Sequence, residues 1–168
     1  DNMEVVIGQD SISGIGSGFG KAQNAYVWCM TEFQNELYVG TWDQTSIVQY
    51  LIDYYPESID TLLAFLSTDF EFPGGGSMGK SAIDRFIENG GNFDAKRAPT
   101  FVSGALDMGG DLYHSPDGIH WTTVFTDGLG DPYNYGPRNL LAVGDDLYIG
   151  MANIYEGLEI WRKVGETD

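Results

Sequence analysis

The feature that most limits what this chain can fold into is a segment written twice. Gly128 to Gly150 reads GLGDPYNYGPRNLLAVGDDLYIG, and Gly18 to Gly40 reads GFGKAQNAYVWCMTEFQNELYVG. Gly18, Gly20, Asn24, Leu37, Tyr38 and Gly40 recur as Gly128, Gly130, Asn134, Leu147, Tyr148 and Gly150, each 110 residues on and without a gap. Between these anchors Met30 to Phe33 falls on Leu140 to Val143, and a polar turn follows each, Gln34-Asn35-Glu36 or Gly144-Asp145-Asp146. Short runs of bulky residues around a turn of two or three Gly, Asn and Asp residues read as a β-hairpin. Repetition at a constant offset outranks any local motif in setting a fold.

A shorter echo extends the unit. Gly110-Asp111-Leu112-Tyr113-His114 and Gly157-Leu158-Glu159-Ile160-Trp161-Arg162 carry an acidic, an aliphatic, an aromatic and a basic residue in one order. Ser115-Pro116-Asp117-Gly118-Ile119-His120-Trp121 and an apolar run from Thr122 to Thr126 then follow the first of them. Each unit therefore has four strands, and four-stranded units that cannot bury both faces alone are the blades of β-propellers.

The succession Leu37 to Thr41 (LYVGT), Gly157 to Arg162 (GLEIWR), Ser115 to Trp121 (SPDGIHW) and Gly128 to Gly136 (GLGDPYNYG) resembles a known family. It is similar to secreted bacterial and archaeal β-propellers with Asp-box-like blades, distantly related to sialidase-type repeats. The resemblance covers roughly residues 18 to 43 and 104 to 165, and it implies architecture rather than activity. SPDGIHW is one residue shorter than the usual S-x-D-x-G-x-x-W. In that motif the Ser and Asp fold a tight turn and the Trp packs on the blade, so the motif is a structural staple.

The expectation is an all-β, propeller-like chain of about two four-stranded blades, a partial propeller, with residues 1–168 as a single domain. Residues 44–104 form a small α-helical insertion within the first blade, between its second and third strands. In it Ile59, Leu62, Leu63 and Leu66 follow Pro56 at helical spacing, and Ser81 to Asn89 suits a second helix ended by Gly90-Gly91. Met3 to Gly8 reads as a strand in the place of the last strand of a blade, and the chain stops after a third strand, Leu158 to Val164. Propellers need roughly four to eight blades. The expected partners are therefore further copies of the chain, by self-association, or the remaining blades of a larger propeller, since open blade edges invite pairing.

Charge narrows the partners further. Acidic residues number 25 against 8 basic ones, a net charge of −17, which argues against nucleic acid and anionic membrane surfaces. It suits solubility outside the cell or at its surface, or bound cations. No apolar run reaches the length of a membrane span, so no membrane insertion is expected. DNMEVV has neither the basic start nor the apolar core of a signal peptide, as in a mature secreted protein or a fragment. Cys29 is the one cysteine, which excludes an intramolecular disulfide.

Four sets of residues could carry chemistry. Gly74-Gly75-Gly76-Ser77-Met78-Gly79-Lys80-Ser81 satisfies G-x-x-x-x-G-K-[ST], in which backbone N–H groups cradle phosphates, Lys80 reaches the outer ones and Ser81 binds magnesium. Against this nucleotide reading, the fold around it is not an alternation of strands and helices, and a loop between the helices explains the same residues. Asp127, Asp131 and Asn134 in the loop between units are oxygen ligands of the kind calcium takes, or else turn formers. His114 and His120 lack a third ligand at zinc spacing. Tyr26, Trp28, Tyr133, Tyr135 and Arg138 cluster near the start of the repeated hairpin, with Arg138 in the place of Trp28. Such aromatics with one arginine bind a glycan ring or a peptide, or pack between the blades.

No catalytic residues are singled out. Of the four arginines, Arg85 and Arg97 lie in the insertion, which leaves Arg138 and Arg162, too few for the arginine cluster of a sialidase. The expected function is non-catalytic binding or structural assembly. The alternatives are a fragment of a propeller glycan hydrolase and nucleotide binding through Gly74 to Ser81.

Overall fold

The computed structural model describes residues 2–21, 23–54, 70–71, 77–78 and 108–164. Strands β1 (Asn24–Phe33), β2 (Glu36–Asp43), β5 (Leu112–Ser115) and β6 (Thr122–Phe125) form one antiparallel sheet in the order β1-β2-β5-β6. Strands β7 (Gly136–Val143), β8 (Asp146–Ala152) and β9 (Glu159–Val164) form a second, in the order β7-β8-β9. Helix α1 (Ser46–Tyr54) follows β2, and β3 (Phe70–Glu71) pairs with β4 (Ser77–Met78). The chain is all-β in class. No helix among the described residues is long and apolar enough to cross a membrane.

The two hairpins agree pair by pair. Met30, Thr31, Glu32 and Phe33 lie opposite Val39, Tyr38, Leu37 and Glu36. Leu140, Leu141, Ala142 and Val143 lie opposite Ile149, Tyr148, Leu147 and Asp146. Both registers slip at an equivalent place, between Val27 and Cys29 and between Pro137 and Asn139, so Trp28 and Arg138 are the extra residues of matching bulges; the first hairpin slips once more, between Asn24 and Tyr26. Each turn is two residues long, and Gln34 and Asn35 both adopt positive φ, as a tight hairpin turn requires. The third strands match too: Tyr38 lies opposite His114 as Tyr148 lies opposite Arg162. The ion pairs beside them correspond, His114 to Glu36 at 2.6 Å and Arg162 to Asp146 at 3.3 Å.

The left-handed turn before each hairpin is also shared. Gly18, Phe19 and Gly20 have φ of 64, 58 and 80°, and Gly128, Leu129 and Gly130 have 62, 63 and 85°. A Cβ on Gly18 or Gly128 would stand 2.9 or 2.8 Å from the carbonyl oxygen of Asn24 or Asn134, so side chains are excluded by contact as well as by φ. Both asparagines are buried, and each amide donates to the carbonyl of its glycine, Gly18 or Gly128, at 3.0 Å.

Cross-strand partners share a face, which fixes how the sheets pack. Phe33, Tyr38, Leu112 and Phe125 on one face of the first sheet meet Leu147, Ile149 and Met151 of the second, with Leu129 and Leu140 against them. Strand β7 makes this contact with both β1 and β2. The approach is close because Gly40 lacks a side chain: a Cβ there would stand 2.8 Å from Pro137. The Cys29 thiol donates across the same seam to the Pro137 carbonyl at 3.0 Å, and burial pushes its pKa up to about 11.

One expectation meets different structure. Met3 to Gly8 is not a strand; it is irregular, with a single bridge from Ile7 to Ile15 and a bond from the Ile12 N–H to the Val5 carbonyl. The helices expected after Pro56 and over Ser81 to Asn89 lie outside the described residues. The described helix, α1, begins directly after β2. There Asp43 accepts bonds from the Thr45 N–H and hydroxyl, and the Ser46 hydroxyl donates to the Pro132 carbonyl at 2.7 Å.

Candidate functional site

The two bulges re-aim their extra residues toward each other across the seam of the sheets. Arg138 places its guanidinium carbon 5.1 Å from the centre of the Trp28 ring. Trp28 stacks on Tyr135 at 5.4 Å and meets the edge of Tyr26 at 6.3 Å. Tyr26 in turn stacks on Trp42 at 5.1 Å with the planes 18° apart. Four rings thus form a ladder, Trp42, Tyr26, Trp28 and Tyr135, with a cation over its third rung. Tyr26 and Arg138 are exposed and the other three are half-buried. Arg138 has no carboxylate within ion-pair range among the described residues. Ring faces of this kind hold sugar C–H faces or apolar peptide side chains, and a guanidinium adds a fork for a carboxylate.

The sequence brought Tyr26, Trp28, Tyr135 and Arg138 to notice but not Trp42. The hairpin register would have found it, because Trp42 lies directly opposite Tyr26. Tyr133 is elsewhere. It is buried, its hydroxyl donates to Asp53 of α1, and its ring leans on Tyr155 at 5.1 Å. Tyr155 stacks on Tyr50 at 4.6 Å, which ties the helix to the second sheet. Burial, followed by the Asp53 carboxylate, pushes the Tyr133 hydroxyl well above the ordinary tyrosine range.

Of the three residues expected as oxygen ligands in the loop between units, two are brought together. Asp131 accepts from the Tyr133 N–H at 2.8 Å and from the Asn153 amide at 3.0 Å, and that amide also lies 3.4 Å from the Asn134 side-chain oxygen. Asn134 donates to Glu159 at 2.8 Å, and Glu159 accepts from the Trp161 indole at 2.7 Å. Those two donors hold the Glu159 carboxyl below its usual range. Asp127 is exposed, and its carbonyl receives the Gly130 N–H at 3.1 Å. Among the described residues no group of three or more His, Cys, Asp or Glu side chains is arranged to hold a metal.

The first sheet has the counterpart of this network with its charges redistributed. Asn24 donates to Asp111 at 2.7 Å, and Asp111 accepts from the Tyr113 hydroxyl at 2.6 Å. Lys21, in the position of Asp131, lies 3.4 Å from Asp111. Asp43 stands in the position of Asn153. Burial pushes Asp43 up to about 7, against the Thr45 hydrogen bonds that pull it down, and it raises Asp111 as well. One oxygen of each, Asp43 Oδ2 and Asp111 Oδ1, has no hydrogen-bond partner. A carboxyl poised near neutrality suits proton transfer, but at 1% and 0% exposure neither acid meets solvent.

The remaining motifs are placed as follows. The Ser115 hydroxyl accepts from the Gly118 N–H at 2.8 Å, and Asp117 accepts from the N–H groups of Ile119 and His120, both at 2.8 Å. The segment is a self-bonded turn, and Trp121 meets the edge of Phe19 at 5.3 Å. His120 and its neighbouring N–H groups hold Asp117 far below the usual carboxylate range. His114 and His120 are each held at 2.6 Å by a carboxylate of their own, Glu36 and Asp117. Gly74, Gly79, Lys80 and Ser81 lie outside the described residues; within that motif only Ser77 and Met78 are described, paired with Glu71 and Phe70. Compared with known proteins, the chain matches no family model, no curated protein and no solved structure.

Proposed function

We propose that this chain is a non-catalytic binding or assembly module with about two propeller-like blades, acting outside the cell or at its surface within a larger propeller or oligomer. Its ligand is a glycan or a peptide held on the ladder of Trp42, Tyr26, Trp28 and Tyr135. The ladder is the observation that carries this reading. It combines stacked, partly open rings with a guanidinium that has no carboxylate partner among the described residues, so the ligand that fits best carries a carboxylate beside an apolar face. Support for the repeating architecture comes from the shared register, bulge and asparagine network of the two units.

A panel of acidic and neutral glycans and of peptides, followed by tryptophan-fluorescence titration of any that bind, tests the reading. Tyr26→Ala and Arg138→Ala should each raise Kd about tenfold or more, as loss of an anchoring ring or charge does. Unchanged affinity in both variants would refute the ladder as the site. Turnover of a bound glycan would instead favour a hydrolase.

A further inference from the structure

We propose that the exposed face of the second sheet docks a second copy of this chain, which presents the outward side of its β1, so that copies join head to tail. The proposal rests on the repeating-unit reading above and names the partner and both surfaces.

The argument starts from equivalent positions. In the first sheet Phe33, Tyr38 and Leu112 share one face and are 3%, 2% and 0% exposed, because the second sheet covers them. Their counterparts in the second sheet are Val143, Tyr148 and Ile160, by the same register in both hairpins and third strands. Val143 is 52% exposed and Ile160 69%, and Leu141 and Val164 on that face are exposed as well. An apolar sheet face of this extent is unusual on a lone surface and marks a contact site. The chain already contains the kind of surface that covers such a face, namely β7 and β8 as they lie on the first sheet.

The complement is also on show. In β7, Pro137 and Leu140 point at the first sheet, Pro137 against Gly40 and Leu140 against the core. Their counterparts in β1 are Val27 and Met30, which face away from the core and are exposed, Met30 by 61%. The outward side of β2, the counterpart of β8, is already covered, Val39 and Thr41 being 3% and 2% exposed, and so is Tyr113 under the stacked ring of Phe19 at 3.9 Å, which leaves β1 as the open part. One interface is thus made inside the chain; the half that the first sheet supplies is presented again by the second sheet, and the part that β7 supplies is presented again by β1, on opposite outer faces. Two different surfaces that fit each other give a heterologous contact, which closes into rings or runs on as a filament.

Light scattering of the intact chain, with three samples, tests this. The parent should be larger than a monomer, whereas Val143→Lys/Ile160→Lys and Met30→Lys should each be monomeric. Mixed one to one, the two variants should form a dimer and nothing larger, since each keeps the half that the other lacks. Circular dichroism checks that both fold; should either lysine variant unfold, Val143→Thr/Ile160→Thr and Met30→Thr take their place. A monomeric parent overturns the proposal, as does an oligomer that survives both variants. An oligomer lost in Val143→Lys/Ile160→Lys but kept in Met30→Lys overturns it too, in favour of two like faces meeting. Ligand titration of the same samples separates this failure from that of the binding reading, because a monomeric parent whose binding still depends on Tyr26 leaves the ladder standing.

Discussion

Asp43→Asn should stabilise this protein, and more so as the pH rises. The carboxyl of Asp43 is 1% exposed, and burial lifts its pKa from 3.8 to about 7. Between those two values the folded chain holds a proton that the unfolded chain has released. Folding stability contributed by the neutral acid is therefore complete below pH 3.8 and is lost as the pH rises through 7. A rise of about three units corresponds to about 4 kcal/mol at pH 8, at roughly 1.4 kcal/mol per unit. Asparagine has the same shape and keeps the oxygen that accepts from Thr45, and the second unit already carries Asn153 at this position, where it accepts from the Tyr155 and Glu156 N–H groups. The loss of attraction to Lys21 offsets part of the gain. Urea denaturation followed by tryptophan fluorescence should show the variant ahead by about 2–4 kcal/mol at pH 8 and by less than about 1 kcal/mol near pH 4. Taking the difference from the parent removes the other perturbed acids, Asp111, Asp117 and Glu159. A gain that is the same at both pH values, or a loss at pH 8, would show that the charge of Asp43 is not what burial penalises.

Two further variants probe the scaffold. Gly128→Ala puts a Cβ 2.8 Å from the Asn134 carbonyl at a φ of 62°, and it should lower stability by about 1–3 kcal/mol, read as a fall in Tm; an unchanged Tm would mean that the turn relaxes freely. Leu147→Ala removes a side chain with 0% exposure from between the sheets, and it should cost about 2–5 kcal/mol in a urea titration, whereas a loss below about 1 kcal/mol would mean that the sheets do not pack there.

What could be read from the sequence was whatever depends on short-range chemistry repeated at fixed spacing. Gly18 and Gly128 need left-handed backbone, Asn24 and Asn134 need a buried amide partner, and both needs leave the same letters in the same places. The equivalence of Trp28 and Arg138 was legible for the same reason. That they touch was not, because the contact depends on how two sheets close over Gly40. Tyr133 lies two residues from Tyr135 yet joins a different cluster, since Asp53 on α1 draws its hydroxyl away. That helix was hidden by its composition: Ile47, Val48 and Ile52 are β-branched and continue an apolar strand, although Ile47, Tyr50, Leu51 and Tyr54 keep helical spacing. The burial of Asp43 left no trace, because a carboxylate in a net charge of −17 looks like solvated surface.

The bond between Asn24 and Asp111 joins residues 87 positions apart, and it fastens the start of β1 to the third strand of the same sheet. β2 and β5 pair directly although residues 44–111 separate them in the chain. The sheet is therefore clasped on both sides of that stretch, by the strand ladder and by a buried side-chain bond. The first sheet is thus assembled from strands remote in the chain, and its closure depends on the β2–β5 ladder and this buried bond together.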